Sequence, residues 1–135
     1  KQENAGRNIF EINLQICYDL RFPVWARQAN NNEYDVLIYV ANWPEKRNHA
    51  WKTLLVARAI ENQAFVVGVN RVGLDGNNIA HSGNSMVVGP LGEVMYHCQD
   101  QEAVFQITLN REELETTRNQ FPFWKDADFF TIQST

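Results

Sequence analysis

Cysteine is scarce in this sequence. Cys17 and Cys98 are the two cysteines among 135 residues, and neither forms part of a C-x-x-C pair. A disulfide framework is therefore excluded, and the spacing of cysteines and histidines argues against a bound zinc. Long hydrophobic runs are missing as well. The longest falls far short of the roughly 20 apolar residues that a membrane-spanning helix needs. No N-terminal stretch has the composition of a signal peptide. Positive charge is also in deficit: 12 basic residues stand against 16 acidic ones, a net charge of -4. With no basic stripe, nucleic acid is set aside as a partner. Repeats and low-complexity linkers are absent. These absences lead to the expectation of a protein in a reducing cytoplasm, without a membrane or a metal.

What is present is ordinary for a globular domain: 44% hydrophobic and 21% charged residues, in a length that suits one core. The first residue is Lys1 rather than Met, which raises the expectation of a chain processed, cut from something larger, or given in part.

Hydrophobic periodicity gives the organisation. From Asn8 to Ile16, Phe10, Ile12, Leu14 and Ile16 alternate with polar residues, which predicts a strand ending at Cys17. Pro23 suits the first turn of a short helix to about Ala29, closed by "NNN". "DVLIYVA", Asp35 to Ala41, reads as a strand covered on both faces. Pro44 to Gln63 is the longest predicted helix, with Trp51, Leu54, Leu55, Ala59 and Ile60 on its buried side. Ala64 to Val72 predicts another strand, and Asp75-Gly76 a turn. Met86 to Val88 and Glu93 to His97 form a predicted hairpin across "GPLGE", followed by a strand from Ala103 to Leu109. Asn110 caps a last predicted helix to about Gln120, with Glu112 and Glu113 in its favourable first turn. An α/β layered domain is the economical reading. The tail "FPFWKDADFF" carries five aromatics between Phe121 and Phe130. It suits packing on its own sheet or an interface with another subunit.

The chemistry question centres on "QICYDLRFP", Gln15 to Pro23. A cysteine at the end of a strand is either a small buried hydrophobe or an accessible nucleophile. At such a junction the N–H groups of Tyr18 and Asp19 are not all committed to the sheet, and one can face an oxyanion beside the sulfur. None of His49, His81 and His97 sits in a motif that ties it to Cys17 as a base.

"ICYDLRFP", then "ANWP", "ARAIENQAFVVGVNRVG" and "GNSMVVGPLGEV" follow one another in the chain. Together they resemble the carbon–nitrogen hydrolase (nitrilase) superfamily, and within it the omega-amidase-like enzymes acting on 2-oxoglutaramate and related ω-amides. The resemblance runs from about Phe10 to Ile132. It implies a four-layer αββα sandwich, of which residues 1–135 would supply the C-terminal part. It also implies that Cys17 attacks an amide carbonyl, ammonia leaves, and water releases the acid from a thioester. In that family a glutamate is the base, and a lysine with the backbone N–H after the cysteine, here Tyr18, stabilises the oxyanion. No cofactor or metal is implied. The substrate would be a small amide, and a homodimer is expected, with residues 121–135 as a contact.

The sequence departs from the family pattern in one respect. The family's glutamate and lysine lie upstream of the cysteine, on segments that would precede Lys1, and Lys1 and Glu3 are not in matching contexts. Glu61 in "RAIENQ" reads instead as a structural ion pair with Arg58. Arg21 suits either a substrate carboxylate or a loop tether. Asn42 and Trp43 end a strand where α/β sheets place their sites, and are substrate-binding candidates or a helix entry. Tyr18, its backbone apart, reads as core, and Cys98 as an inert buried thiol. An N-carbamoyl amine or a nitrile is an alternative substrate. A non-catalytic half-protein acting by association is the alternative from another class.

Overall fold

The computed structural model describes residues 9–28, 33–131 and 133. Three parallel strands, β1 (Ile12–Ile16), β2 (Val36–Ala41) and β3 (Phe65–Asn70), lie side by side, with Ile16 opposite Val40 and Val40 opposite Val69. After β3 the chain runs almost directly into β4 (Val72–Leu74), turns at Asp75, and returns as β5 (Ala80–Val88). β5 is antiparallel to β4 over its first residues and to β3 over its last. β6 (Val94–Gln99) closes the hairpin on the other side of β5. Opposite Arg71, β5 bulges at Gly83 and Asn84, both left-handed (φ 69° and 55°), and the Gly83 N–H is bonded to the Arg71 carbonyl at 3.0 Å.

Two crossovers build the parallel part. A 3-10 turn (Cys17–Arg21) and the short helix α1 (Pro23–Ala26) connect β1 to β2. A 3-10 turn (Glu45–Arg47) and α2 (Asn48–Asn62) connect β2 to β3. The helix expected from Pro44 therefore starts as a tighter turn, because Pro44 itself is extended at ψ 145°. It ends where Gln63 turns left-handed (φ 45°), its N–H bonded to the Ala59 and Ile60 carbonyls.

α2 buries Trp51, Leu55 and Ala59 against Leu37, Tyr39, Val66, Met86 and Val88. Each large apolar side chain taken fully from water contributes about 1.5–3 kcal/mol. Gly68 lets the helix come this close, since a Cβ there would stand 2.5 Å from Leu55 Cδ1 and 2.9 Å from Trp51 Cζ2.

On the opposite face, α3 (Arg111–Gln120) covers one end of the sheet through Leu114, which packs with Val36 and Phe65. Asn110 caps this helix as expected, its Oδ1 accepting the N–H groups of Glu112 (2.9 Å) and Glu113 (3.3 Å). Polar anchors complete the docking. Asp35 receives Arg111 Nη1 at 2.8 Å and Arg118 Nη1 at 2.9 Å, and Arg118 also donates to the Gln63 and Tyr34 carbonyls. The rest of this face is open: Leu14 is 74% exposed and Ile16 67%, and Val40 and Val69 are about half exposed. Among the described residues, the Asp35–Ala41 segment is thus covered on both faces only near its start.

Further expectations change, and Ile60, expected on the buried side of α2, is 52% exposed. Residues Ala103–Leu109 form no strand. They run as an irregular segment in which Phe105 stacks on Tyr96 at 3.6 Å, so a ring contact replaces ladder pairing. The predicted hairpin is longer than its apolar ends suggested, because the largely polar stretch Ala80–Ser85 belongs to β5. α1 stops at Ala26. Asn8, Ala29, the "NNN" that was to close the helix, and Ile132 lie outside the described residues.

Candidate active site

Cys17 begins the turn that follows β1, and its backbone is left-handed at φ 43°. For a residue with a Cβ this conformation costs on the order of 1–2 kcal/mol. A sharp, strained exit from a strand lifts a side chain off the sheet edge, and the Cys17 thiol is half-buried rather than sealed in the core. The turn is closed locally. The Asp19 carboxylate accepts the Ile16 N–H at 2.9 Å, and the Asp19 carbonyl accepts the Phe22 N–H at 2.9 Å. Leu20, wholly buried, anchors the turn in the core. Tyr18 departs from its reading as a core side chain. It is 64% exposed and packs edge-on against Phe22, with centroids 5.2 Å apart.

Beneath the turn lies the last part of α2. Arg58, buried against Leu20 and β2, donates from Nη2 to the Leu20 carbonyl at 2.6 Å. Its Nη1 pairs with Glu61 at 3.2 Å, so the ion pair expected from their spacing is formed. The guanidinium also lies beside the Tyr39 hydroxyl; burial raises the Tyr39 pKa, and the arginine opposes that rise. One turn on, Asn62 Oδ1 accepts the Gln28 N–H (3.0 Å), and the Glu61 carbonyl accepts Arg27 Nη1 (2.8 Å).

Arg21 and Trp43 come together. The Arg21 guanidinium carbon sits 4.9 Å from the centroid of the Trp43 ring, a cation–π contact, and Arg21 is otherwise exposed. Trp43 itself is buried. Its indole N–H donates to the Arg47 carbonyl at 2.8 Å, and its ring packs on Trp51 at 5.6 Å. It lies beneath Arg21. Asn42 is exposed and lines a different space, a groove of about 660 Å³ with Asn70, Arg71, Tyr96 and Phe105. Cys17 is not among the residues lining that groove.

Sequence reasoning missed Asn70. Its carboxamide accepts the Trp43 N–H (2.7 Å) and donates to the carbonyls of Trp43 (3.0 Å) and Gly83 (2.8 Å), which fixes the loop carrying Asn42 and Trp43. A lone buried asparagine ending a strand was the available signal. The histidines are engaged elsewhere: His81 with the Ile79 carbonyl, and His97 with Asn84 on β5. His49 is exposed on α2. Cys98 is buried, its sulfur 3.8 Å from the Gln101 carbonyl. Among the described residues, no group of three or more His, Cys, Asp or Glu could hold a metal ion, and no helix is long and apolar enough to cross a membrane.

Residues 4–119 match the family model for carbon-nitrogen hydrolase. The chain belongs to the carbon–nitrogen hydrolase family. Omega-amidase YafV of Escherichia coli K12 is 49% identical over 118 residues, 87% of this chain and 45% of that protein. The 2-oxoglutaramate amidase of Bacillus subtilis strain 168 is 37% identical over 111 residues, 82% of this chain and 42% of that protein. Among solved structures, XC1258 from Xanthomonas campestris superposes with a TM-score of 0.87 at 45% identity, covering 90% of this chain and 48% of that one. That structure is described as a CN-hydrolase superfamily protein with an arsenic adduct in its active site. The α/β fold is thus that of the nitrilase superfamily, and this carbon–nitrogen hydrolase chain spans about half the length of the curated relatives it matches.

Proposed function

We propose that residues 1–135 are the C-terminal part of a single carbon–nitrogen hydrolase domain that cleaves a small linear amide. An ω-amide of a dicarboxylic or 2-oxo acid, such as 2-oxoglutaramate, is the first substrate class. The observation that carries the reading is the left-handed, half-buried Cys17 where β1 meets its turn. The names of the amidase relatives support the choice of substrate.

In this reading a glutamate from the upstream segment takes the thiol proton, and the sulfur attacks the amide carbon. The Tyr18 N–H and an upstream lysine hold the resulting oxyanion. Collapse of the intermediate forms the thioester and expels ammonia, the glutamate returning the proton to nitrogen. Water, deprotonated by the same carboxylate, then adds to the thioester and frees the acid and the thiol. Arg21, in cation–π contact with Trp43 and otherwise exposed, pairs with the distal carboxylate of the substrate. The upstream segment also supplies the layers that cover Leu14, Ile16, Val40 and Val69, completing a four-layer sandwich.

The test is ammonia release from 2-oxoglutaramate by the full-length protein and its Cys17→Ala form. Loss of turnover in the variant is expected, and retained turnover sinks the reading. Activity on an N-carbamoyl amine or a nitrile with none on ω-amides would move the substrate class and leave Cys17 in place.

The open apolar face favours a second reading, a half-protein that works by associating with its other half. The intact mass of the protein as produced separates the two. A mass near 15.6 kDa with no amidase activity supports the half-protein, and about twice that mass supports the enzyme.

A further inference from the structure

The "RAIEN" stretch of α2 plays no part in the chemistry above, yet each of its polar residues reaches the segment that carries the thiol. Arg58 holds the Leu20 carbonyl, the Glu61 carbonyl holds Arg27, and Asn62 holds the Gln28 backbone. The Gln28 side chain returns to the Asn62 carbonyl at 2.7 Å. Three residues spaced at i, i+3 and i+4 lie on one helix face, and here that face serves as a cradle for residues Leu20 to Gln28.

We propose that Arg58 is a positioning residue for the Cys17 thiol. A left-handed backbone at a residue with a Cβ persists only when its surroundings over-determine it. On the N-terminal side the β1 ladder and the Ile16–Asp19 bond supply that constraint. On the other side, Arg58 grips the turn at Leu20, three residues past the thiol. Glu61 holds one nitrogen of this guanidinium, and the bond from the other to a carbonyl in a buried place is charge-assisted and strong. A guanidinium spans both contacts at once. A lysine ammonium in its place keeps the charge but loses the fork, and reaches one contact at a time.

The inference rests on Cys17 being the nucleophile, and its test is built to fail separately. In full-length protein, Arg58→Met and Arg58→Lys are compared with Asp35→Asn, a destabilising change at the other end of the sheet. Three quantities are read: kcat and KM on the ω-amide, the rate of Cys17 alkylation by iodoacetamide followed on its peptide by mass, and the melting temperature.

Misplacing a reacting group by a fraction of its contact distance costs on the order of 10²-fold. For Arg58→Met, kcat should accordingly fall by at least about 30-fold, with KM within about threefold. Alkylation of Cys17 should slow by roughly fivefold or more, and Arg58→Lys should fall between the two. Asp35→Asn should lower the melting temperature and leave Cys17 alkylation at the wild-type rate. Should Arg58→Met not accumulate as folded protein, Glu61→Ala, which keeps the Leu20 bond and removes the acceptor on the other nitrogen, should show the same pattern in weaker form.

The inference is overturned if alkylation and kcat in the Arg58 or Glu61 variants change no more than in Asp35→Asn at equal loss of melting temperature. If the wild-type protein shows no amidase activity, the reaction assigned above fails, and the alkylation rates still decide the role of Arg58.

Discussion

Asn70 binds Trp43 as a neighbouring strand would, with Oδ1 accepting its N–H at 2.7 Å and Nδ2 donating to its carbonyl at 3.0 Å. The remaining amide proton goes to the Gly83 carbonyl at 2.8 Å, so one carboxamide joins the ends of β2 and β3 to the β5 bulge. Asn70→Asp replaces two donors with an acceptor facing two carbonyls. It should cost about 3 kcal/mol or more, exceeding the roughly 2 kcal/mol expected for Asn70→Ala. Urea unfolding of the full-length variants checks the order, and an aspartate milder than the alanine would contradict it.

Cys17 offers a test of strain. At φ 43° a glycine is free of the penalty that a Cβ carries. Cys17→Gly should be more stable than Cys17→Ala by about 1 kcal/mol, the reverse of the usual order. Thermal melts of the two variants decide it.

Gly68 is where α2 rests on the sheet. Gly68→Ala drives a methyl into Leu55 and should destabilise by about 1–3 kcal/mol. Leu55→Ala alone leaves a cavity costing about 2–5 kcal/mol. Combined, the two should cost less than their sum, because each makes room for the other. Simple additivity in a double-mutant cycle would mean that they do not touch.

β1 and α3 were legible in the sequence, while the packing around Ala103–Leu109, Arg58 and Trp43 was not. The alternation from Phe10 to Ile16 announced β1, and the Asn110 cap with its acidic first turn announced α3, because both signals are local. Ala103–Leu109 has strand composition and forms no strand; Phe105 instead stacks on Tyr96 of β6, a placement that composition does not encode. Arg58 was read as half of an ion pair from its spacing to Glu61. Its bond to Leu20 crosses 38 residues and leaves no trace in spacing. Trp43 was readable as a strand-end aromatic, but its place under Arg21 depends on the packing of two crossovers.

A pH effect should appear at the far turn. The Ile79 and Asn77 N–H groups bind the Asp75 carboxylate at 2.9 and 2.8 Å, and these bonds hold its pKa below the ordinary 3.8. A carboxyl depressed in the folded state contributes order above its unfolded value, and that contribution fades as pH falls through the lower folded value. Amide protection at Asn77 and Ile79 should therefore be steady above pH 4 and drop in stronger acid. Asp75→Asn should remove this acid dependence, as amide exchange followed by NMR would show.

The clamp on Asp35 has a consequence for how the chain reaches its native state. Arg111 and Arg118 meet that carboxylate across 76 and 83 residues of intervening chain. Contacts so distant in sequence reward the chain only after the loop between them has closed, and they raise the contact order of the whole fold. The crossover β2–α2–β3 depends on much shorter closures and assembles without them. The final helix is then a late arrival on a sheet already formed. By the same argument it should be the first of the described helices to leave, and so an early point at which a protease gains purchase.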